Sequence, residues 1–228
     1  MSALRKLIIA IDGPAGSGKS TIAARLAHKL GYINLESGAM YRALALTALE
    51  EQAPLDSADV LRQLAENSLV QLEPSSDGNR VMLDGRDVSR RIREEDVTAA
   101  ASRVSIHPAV RQVMVARQRQ LGANGGVVME GRDIGTAVFP QADVKIFLDA
   151  DPSVRAGRRL AQNGSTSAEE AQRIQAEITA RDERDRTRAT SPLLPAADAV
   201  IVDTTHKDID EVIAEVERLV LEKLSARS

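Results

Sequence analysis

Eight residues near the start of the chain, Gly13 to Ser20, constrain its fold more than any other stretch. Their sequence, GPAGSGKS, has the spacing GxxxxGK[ST], in which glycines let the backbone curl so that successive N–H groups face a phosphate. The apolar run Leu7 to Ile11 precedes them, and the amphipathic segment Gly18 to Leu30 follows. The pattern therefore predicts a strand, a phosphate-binding loop and a helix whose N-terminal dipole favours an anion.

This loop predicts binding of a nucleoside triphosphate, with a glycine-rich turn without ligand as the alternative. Lys19 would reach the β- and γ-phosphates and Ser20 would offer its hydroxyl to Mg²⁺, so we expect ATP and Mg²⁺ as cofactors. We expect nine consecutive residues to bind ATP: Gly13, Pro14, Ala15, Gly16, Ser17, Gly18, Lys19, Ser20 and Thr21. The chain contains neither an NKxD motif of guanine-nucleotide switches nor an LSGGQ-like signature of transport ATPases, and its 228 residues suit a small kinase.

Apolar runs alternate with helical patterns, which is typical of an α/β protein with a mostly parallel sheet. The predicted strands are Leu7 to Ile11, Tyr32 to Leu35, Val127 to Glu130, Val144 to Leu148 and Ala199 to Val202. The predicted helices are Gly18 to Leu30, Gly38 to Glu51, Pro108 to Leu121, Pro152 to Gln162, Ser167 to Arg188 and Ile209 to Leu224. We therefore predict a P-loop kinase core with a parallel five-stranded sheet flanked by helices.

The segment 66–96 interrupts this alternation. VQLE, the polar PSSDGN and RVMLDGRDV indicate a short antiparallel meander with turns at Asp77-Gly78 and Asp84-Gly85. We predict that 66–96 is an inserted small β-containing lobe, and that 1–65 together with 97–228 form the core.

Residues 151–188 are predicted to form a helical hairpin that serves as a lid. Asp151-Pro152 would start the first helix, Asn163-Gly164 would end it, and a capping box of Ser167 and Glu170 would start the second. The spacing i, i+3, i+4, i+7 places four charged residues on one face of the second helix: Arg181, Arg184, Asp185 and Arg188. Asp182 and Arg186 are predicted to point elsewhere.

Arginines at the spacing i, i+3, i+4 also mark the first arm of the hairpin: Arg155, Arg158 and Arg159. Two arms with uncancelled positive charge would close over a triphosphate and stabilise charge on the transferred group. A solvated helix surface is the alternative.

A kinase also needs a second anion site that faces the loop, and two further stretches offer one. Ser37 is predicted as the N-cap of a helix in which Arg42 lies one turn later, so both would face an anion; a capped helix with a solvated arginine is the alternative. Glu130 to Gly135 ends a strand, where the ligand crevice of an α/β sheet lies; a loop salt bridge is the alternative.

The composition narrows the classes of partner. With a formal net charge of -3 and 2% aromatic residues, a polyanion-binding surface is not expected, so we predict no nucleic-acid partner. The sequence has no apolar run long enough to cross a membrane, and its lack of cysteine suits a cytoplasmic protein. We expect a cytoplasmic monomer.

Together the motifs resemble the bacterial cytidylate kinase family. The resemblance rests on SGAMYR (37–42), EGRDIGT (130–136) with VFP (138–140), KIFLD (145–149) and RDERDRTR (181–188), each more specific than the phosphate loop. It runs over nearly the whole chain in the family's order, and it includes the β-containing insert. Glu36 stands where the family often has Asp.

The resemblance implies ATP-dependent phosphorylation of CMP and dCMP to CDP and dCDP, a step of pyrimidine metabolism. It implies that CMP binds to Ser37, Arg42, Arg132 and Arg188 around the phosphate and base, to Ser102, Arg111 and Asp133 at the cytosine, and to Arg181 and Asp185 at the sugar. The implied catalytic residues, which position groups and neutralise charge, are Lys19, Arg132, Arg158 and Arg188. The alternatives are a kinase for UMP, AMP or shikimate, and a nucleotide-dependent regulator.

Overall fold

A computed structural model describes residues 6–75, 78–162, 164 and 167–225. Its strands are β1 Ile8–Asp12, β2 Ile33–Glu36, β3 Val70–Ser75, β4 Gly78–Leu83, β5 Arg86–Asp87, β6 Val127–Gly131, β7 Val144–Asp149 and β8 Val200–Asp203. Its helices are α1 Lys19–Leu30, α2 Ser37–Glu50, α3 Ala58–Asn67, α4 Glu95–Val104, α5 Pro108–Gly122, α6 Pro152–Gln162, α7 Ala168–Thr187 and α8 Ile209–Ser225.

Five of these strands form a parallel sheet in the order β2-β6-β1-β7-β8. Every residue of the central strand β1 is buried, because helices cover both faces of the sheet; this is why parallel strands have nearly continuous apolar sequences. The predicted α/β fold with a five-stranded parallel sheet is confirmed. Each predicted strand lies within one residue of its observed position.

Alternate residues of β1 supply two hydrophobic clusters, one on each face of the sheet. Ile9 and Ile11 pack with residues of α1 and α8, whereas Ile8 and Ala10 pack with Leu35 and neighbours from β6 and α5. All five strands end at the same edge, and four of them carry an acidic residue as their last residue: Asp12, Glu36, Asp149 and Asp203. In open α/β sheets this carboxyl edge lines the ligand crevice.

The predicted meander is present as the antiparallel sheet β3-β4-β5. Asp84 and Gly85, with φ values of 50° and 79°, form the two-residue turn between β4 and β5, as their sequence predicts. Asp77 of the other predicted turn lies outside the described residues. Val81 and Leu83 of β4 belong to the same hydrophobic cluster as α2, α3, α4 and α5, so the meander packs as part of a helical lobe. The predicted boundaries at 66 and 96 remain a prediction.

Helices α6 and α7 form the predicted hairpin, and their arms pack through Ala156, Ile174 and Ile178. The hydroxyl of Ser167 accepts a hydrogen bond from the backbone N–H of Glu170, which confirms that half of the capping box. Asn163, the predicted end of the first arm, lies outside the described residues. Among the described helices, none has both the length and the apolar character that a bilayer crossing requires.

The predicted helices include neither α4 nor α3. Helix α3 gives only a weak signal. Its ten residues carry only two fully buried side chains, Leu61 and Ala65, so its apolar pattern is short. Ser57 occupies its N-cap position and is a recognisable start signal, but its side chain makes no capping hydrogen bond.

Candidate active site

The loop between β1 and α1 has the conformation that the sequence predicts. Gly13, Gly16 and Gly18 all have positive φ, and α1 begins directly after them at Lys19. A β-carbon on Gly13 would lie 2.0 Å from the carbonyl oxygen of Leu148, so no other residue fits there. The curl therefore depends on close packing against β7.

Lys19 is buried inside this loop. Its ammonium group donates hydrogen bonds to the carbonyl of Pro14, at 2.5 Å, and to the hydroxyl of Ser17, at 3.2 Å. Burial, and then the positive charge of Arg132, lower the pKa of Lys19 to about 7, although the carboxylate of Glu130 acts in the opposite direction. A cation held in this way gains strongly from an anion that enters the loop.

Ser20 and Glu130 bring two oxygen atoms together beside the loop. The hydroxyl of Ser20, at the start of α1, donates to Oε1 of Glu130 near the end of β6, at 3.1 Å. Glu130 is buried, and burial together with the charge of Glu36 raises its pKa, although Lys19 and Arg132 oppose the rise. Hydroxyl and carboxylate oxygens are the donors that Mg²⁺ prefers. Sequence reasoning named the segment that contains Glu130 but gave it no role.

The start of α2 faces the end of β6. The N-cap of α2 is Glu36, not Ser37 as predicted from the sequence. Ser37 is instead the first helical residue, and its hydroxyl donates to the carbonyl of Glu130 at 2.8 Å. Arg42 forms an ion pair with Glu36, and Nη2 of Arg93 lies 3.6 Å from the same carboxylate. Two guanidinium groups therefore gather around one buried acid beside the phosphate loop.

A second network of alternating charge joins β6, α5 and α7. Nε of Arg132 donates to Asp185 at 2.9 Å, and Nη1 of Arg188 lies 3.8 Å from Asp185. The other terminal nitrogen of Arg188 lies 3.6 Å from Asp133, which also forms an ion pair with Arg111. Five of the predicted acceptor residues thus form one connected chain.

The electrostatics of this network favour an added anion. Burial alone would raise the pKa of Asp185, but the guanidinium groups of Arg132, Arg181 and Arg188 outweigh it and hold the pKa below its usual range. Burial, and then Arg132, lower the pKa of Arg181 to about 10. The carboxylates of Asp185 and Asp182 act on the charge of Arg181, but among the described residues none forms a hydrogen bond with its guanidinium, so its N–H groups are available to a ligand.

Several buried polar atoms of Tyr41 and of predicted acceptor residues have no hydrogen-bond partner among the described residues: the hydroxyls of Tyr41 and Ser102, Nε of Arg111 and Nη2 of Arg188. The guanidinium of Arg111 lies over the ring of Tyr41, 5.6 Å from its centroid. Each unsatisfied buried group costs about 1–3 kcal/mol, so a cluster of them indicates a site for a polar ligand. Sequence reasoning missed Tyr41, although it lies within the SGAMYR motif.

The hairpin arms differ from the prediction in one respect. Asp182, predicted to point away from the charged face, is buried, whereas Arg184, predicted to lie on that face, is exposed. The buried stripe of α7 runs through Ile174, Ile178, Asp182 and Asp185. At 100° per residue, Arg181 and Arg188 lie at the edge of this stripe, and Arg184 lies beyond it.

Asp182 connects the hairpin to the phosphate loop. Its Oδ1 accepts a hydrogen bond from the backbone N–H of Ala15 at 3.3 Å, and its other oxygen forms an ion pair with Arg155. Arg155 in turn donates to the carbonyls of Ala15, at 3.0 Å, and Ala150, at 2.9 Å. Both arms of the hairpin therefore meet at the first turn of the loop.

Arg158 does not belong to the charged network that Arg132 and Arg188 form with Asp185. Its side chain donates to the hydroxyl of Thr204 at 2.9 Å and to the carbonyl of the same residue at 2.6 Å. Thr204 follows β8, and Arg159 is exposed. Of the three arginines predicted to form one face of α6, only Arg155 contacts the phosphate loop.

The chain is similar to known proteins over nearly its whole length. The family model for cytidylate kinase matches residues 9–222. The chain is 47% identical over 219 residues to a cytidylate kinase of Enterococcus faecalis, covering 96% of this chain and 97% of that protein. It is 46% identical over 217 residues to a cytidylate kinase of a Geobacillus species, covering 95% of this chain and 97% of that protein.

A weaker likeness exists to a solved structure, a shikimate kinase from Acinetobacter baumannii in complex with shikimate. It covers 95% of this chain and 94% of that one, at a TM-score of 0.46 and 15% identity, values too low to support an argument about substrate. The family model and the two curated relatives match nearly the whole length of the chain, and all three are cytidylate kinases. The chain therefore belongs to the cytidylate kinase family.

Proposed function

We propose that this enzyme transfers the γ-phosphoryl group of ATP to the phosphate of CMP or dCMP, producing ADP and CDP or dCDP. The observation that carries the proposal is the juxtaposition of two anion sites at one edge of the sheet. The phosphate loop lies on one side and the guanidinium network on the other. One segment joins them, because Glu130 accepts a hydrogen bond from Ser20 beside the loop and Arg132 donates one to Asp185 of the network.

The ATP side is contributed by one continuous segment. Backbone N–H groups of the loop from Gly13 to Thr21 would surround the phosphates, and Lys19 would exchange its present bond to Pro14 for the β- and γ-phosphates. Ser20 and Glu130 would hold Mg²⁺, because both present oxygen atoms beside the loop. When bound, Mg²⁺ would neutralise negative charge on the β- and γ-phosphates.

The acceptor phosphate would bind among cationic groups from three segments. Arg42 is held by Glu36, Arg132 by Asp185, and Arg188 by two acids, so each guanidinium is oriented before the substrate arrives. Ser37 would add a hydroxyl. Bidentate arginine contacts fix the phosphate with little loss of side-chain freedom, which favours in-line attack. Arg181 and Asp185 would contact the sugar.

The base would bind beside the unsatisfied polar atoms. Cytosine presents a ring carbonyl that accepts hydrogen bonds and an exocyclic amine that donates them. Ser102 and Arg111 would donate to the ring, and the carboxylate of Asp133 would accept from the amine. Uracil has a carbonyl in place of the amine, which would face the Asp133 carboxylate and be repelled.

The chemical step needs no nucleophile from the protein. An oxygen of the CMP phosphate attacks the γ-phosphorus, the bond from that phosphorus to the β–γ bridging oxygen breaks, and ADP leaves with the bond's electrons. Lys19, Arg132 and Arg188 neutralise charge that develops on the transferred group. Arg158 remains a predicted catalytic residue that would have to leave Thr204 to take part.

A coupled assay of ADP production tests the proposal directly. With ATP and Mg²⁺ fixed, we expect turnover with CMP and dCMP, and much lower kcat/KM with UMP, AMP or shikimate. Preferential turnover of one of the other acceptors would overturn the assigned substrate. ATP binding without any diphosphate product would overturn kinase activity and favour a nucleotide-dependent regulator.

A further inference from the structure

One buried side chain, Asp12, links the segment that precedes the phosphate loop to the segment that carries acceptor residues. Asp12 is the last residue of β1, immediately before Gly13, and only 5% of it is exposed. Its Oδ1 accepts a hydrogen bond from the backbone N–H of Ile134 at 2.8 Å, and its Oδ2 accepts one from Gly135 at 2.7 Å. Both carboxylate oxygens therefore accept hydrogen bonds from one short segment, which follows β6.

The N–H groups of Ile134 and Gly135 lie at the start of a turn, and no carbonyl within that turn accepts a hydrogen bond from them. Ile134–Val138 is a π-helical turn, and Asp133 is its N-cap residue. The carbonyl of Asp133 accepts from Ala137 at 2.8 Å and from Val138 at 3.2 Å, so the first N–H groups of the turn remain unpaired within it. Asp12 supplies their acceptors from a neighbouring strand, as a side-chain cap would from within a helix.

The residues just before these N–H groups carry the acceptor contacts. Arg132 pairs with Asp185, and Asp133 pairs with Arg111 and Arg188. The direction in which their side chains leave the backbone depends on where the turn begins. A shift of the turn would therefore move both the phosphate-binding and the base-binding groups.

The position costs free energy when Asp12 is ionised. Burial raises the pKa of Asp12 to about 6, and the nearby charge of Asp133 adds to the rise, although the two N–H donors and Lys19 oppose it. The side chain of Lys145 also lies close to Gly135, next to the carboxylate of Asp12. Asparagine would fill the same space without this cost, but it has a single accepting oxygen and could satisfy only one of the two N–H groups.

We propose that Asp12 is a positioning residue for the acceptor: it fixes the turn that carries Arg132 and Asp133 to the strand from which the phosphate loop begins. The proposal rests on the proposed function, because it concerns the same two substrates. It predicts that damage to Asp12 impairs use of CMP more than use of ATP.

The test is the steady-state kinetics of Asp12→Asn. We expect KM for CMP to rise about tenfold, with kcat lowered several-fold, while KM for ATP stays within about twofold, because one of two charge-assisted hydrogen bonds is lost. A merely structural role would lower the active fraction and leave both KM values unchanged.

Asp143→Asn is a matched control. Its Oδ2 accepts from the backbone N–H of Ile8, at 2.7 Å, at the opposite end of the same strand. We expect this variant to keep the wild-type KM for CMP and for ATP. An equal rise of KM for CMP in both aspartate variants would overturn the assignment to Asp12.

Gly135→Ala tests the same contact independently, in case Asp12→Asn does not fold. The added β-carbon would lie 3.4 Å from Oδ2 of Asp12 and 3.2 Å from Cδ of Lys145, so it presses on the same contact without removing a charge. We expect KM for CMP to rise about threefold, with KM for ATP unchanged. The proposal fails if neither variant changes KM for CMP, or if KM for ATP rises as much.

These outcomes are separable from failure of the proposed function. The wild-type protein is assayed first on the acceptor panel. If it phosphorylates a different acceptor, the substrate assignment fails and the variants are compared on that acceptor, where the same selective rise is expected. If it phosphorylates none, the proposed function and the positioning role both fail.

Discussion

The two sides of the site are built in different ways. The ATP side is one continuous segment in which glycines shape the loop and backbone N–H groups face the phosphates. It depends on close packing such as that of Gly13 against β7. The acceptor side consists of side chains from α2, α4, α5, α7 and the loop after β6, and those from α5, α7 and this loop are held to one another by alternating charges. We infer that ATP binding tolerates changes to distant side chains, whereas CMP binding is sensitive to each member of the network.

The largest effect is expected for Lys19→Met. Because Lys19 is the buried cation of the loop, turnover should fall by roughly a thousandfold or more, while CMP binding changes little and the fold is retained. The ADP-coupled assay, calorimetric titration with CMP and a circular dichroism melt measure the three quantities. Lys29→Met is the control, because Lys29 lies on the same helix and is exposed in an ion pair with Glu217. Normal activity of Lys19→Met would refute the loop assignment.

The next largest effect is expected for Arg188→Met. It removes a buried guanidinium that lies between Asp133 and Asp185, so KM for CMP should rise roughly a hundredfold while KM for ATP changes little. Arg184→Met is its control: Arg184 is four residues away on the same chain segment but exposed, and both KM values should stay within twofold. Similar kinetics in the two variants would contradict the distinction between them.

A smaller effect is expected for Ser102→Ala. Its buried hydroxyl has no partner among the described residues, so removal should leave the melting temperature unchanged or slightly higher. If the hydroxyl contacts the ring of cytosine, kcat/KM for CMP should fall about tenfold while KM for ATP changes little. Ser105→Ala, whose hydroxyl donates to the carbonyl of Ser102 at 3.2 Å, should keep the wild-type kcat/KM for CMP. A Ser102→Ala enzyme with unchanged kcat/KM for CMP would remove Ser102 from the base site.

The smallest signal is a proton exchanged on ATP binding. With its pKa lowered to about 7, Lys19 is mostly neutral at pH 8, and the phosphates of ATP favour its charged form. Binding at pH 8 should therefore take up close to one proton, and at pH 6, where Lys19 is already charged, this uptake should disappear. Calorimetry in buffers of different ionisation enthalpy measures it. Lys19→Arg should bind without the uptake at pH 8, since arginine stays charged; an unchanged uptake would assign the proton to another group.

The same contrast explains how much the sequence could predict. The phosphate loop is contiguous, so its motif and the flanking strand and helix could be read directly. The acceptor network joins residues up to 77 positions apart, from Arg111 to Arg188, and its members were assigned by resemblance to a family. Helical spacing alone placed Arg184 on the wrong side and missed Asp182, because it could not locate the buried stripe of α7.

Other residues were missed because the sequence gives no local sign of their partners. Asp12 reads as the polar end of a strand, and its acceptance of two N–H groups 122 and 123 residues away depends on the strand order. Glu130 meets Ser20 only because β6 lies beside β1. Tyr41 looks like an ordinary helix residue until Arg111 is found above its ring.

The bond from Asp182 to the N–H of Ala15 has a consequence for cooperativity between substrates. It connects the hairpin directly to the phosphate loop. Asp182 lies on the same helix as Arg181 and Asp185, which are predicted to bind the acceptor. Any nucleotide that reshapes the loop therefore changes the energy of the hairpin, and thermodynamic reciprocity requires the converse. By this reciprocity, the factor by which bound ATP changes the affinity for the acceptor equals the factor by which the bound acceptor changes the affinity for ATP.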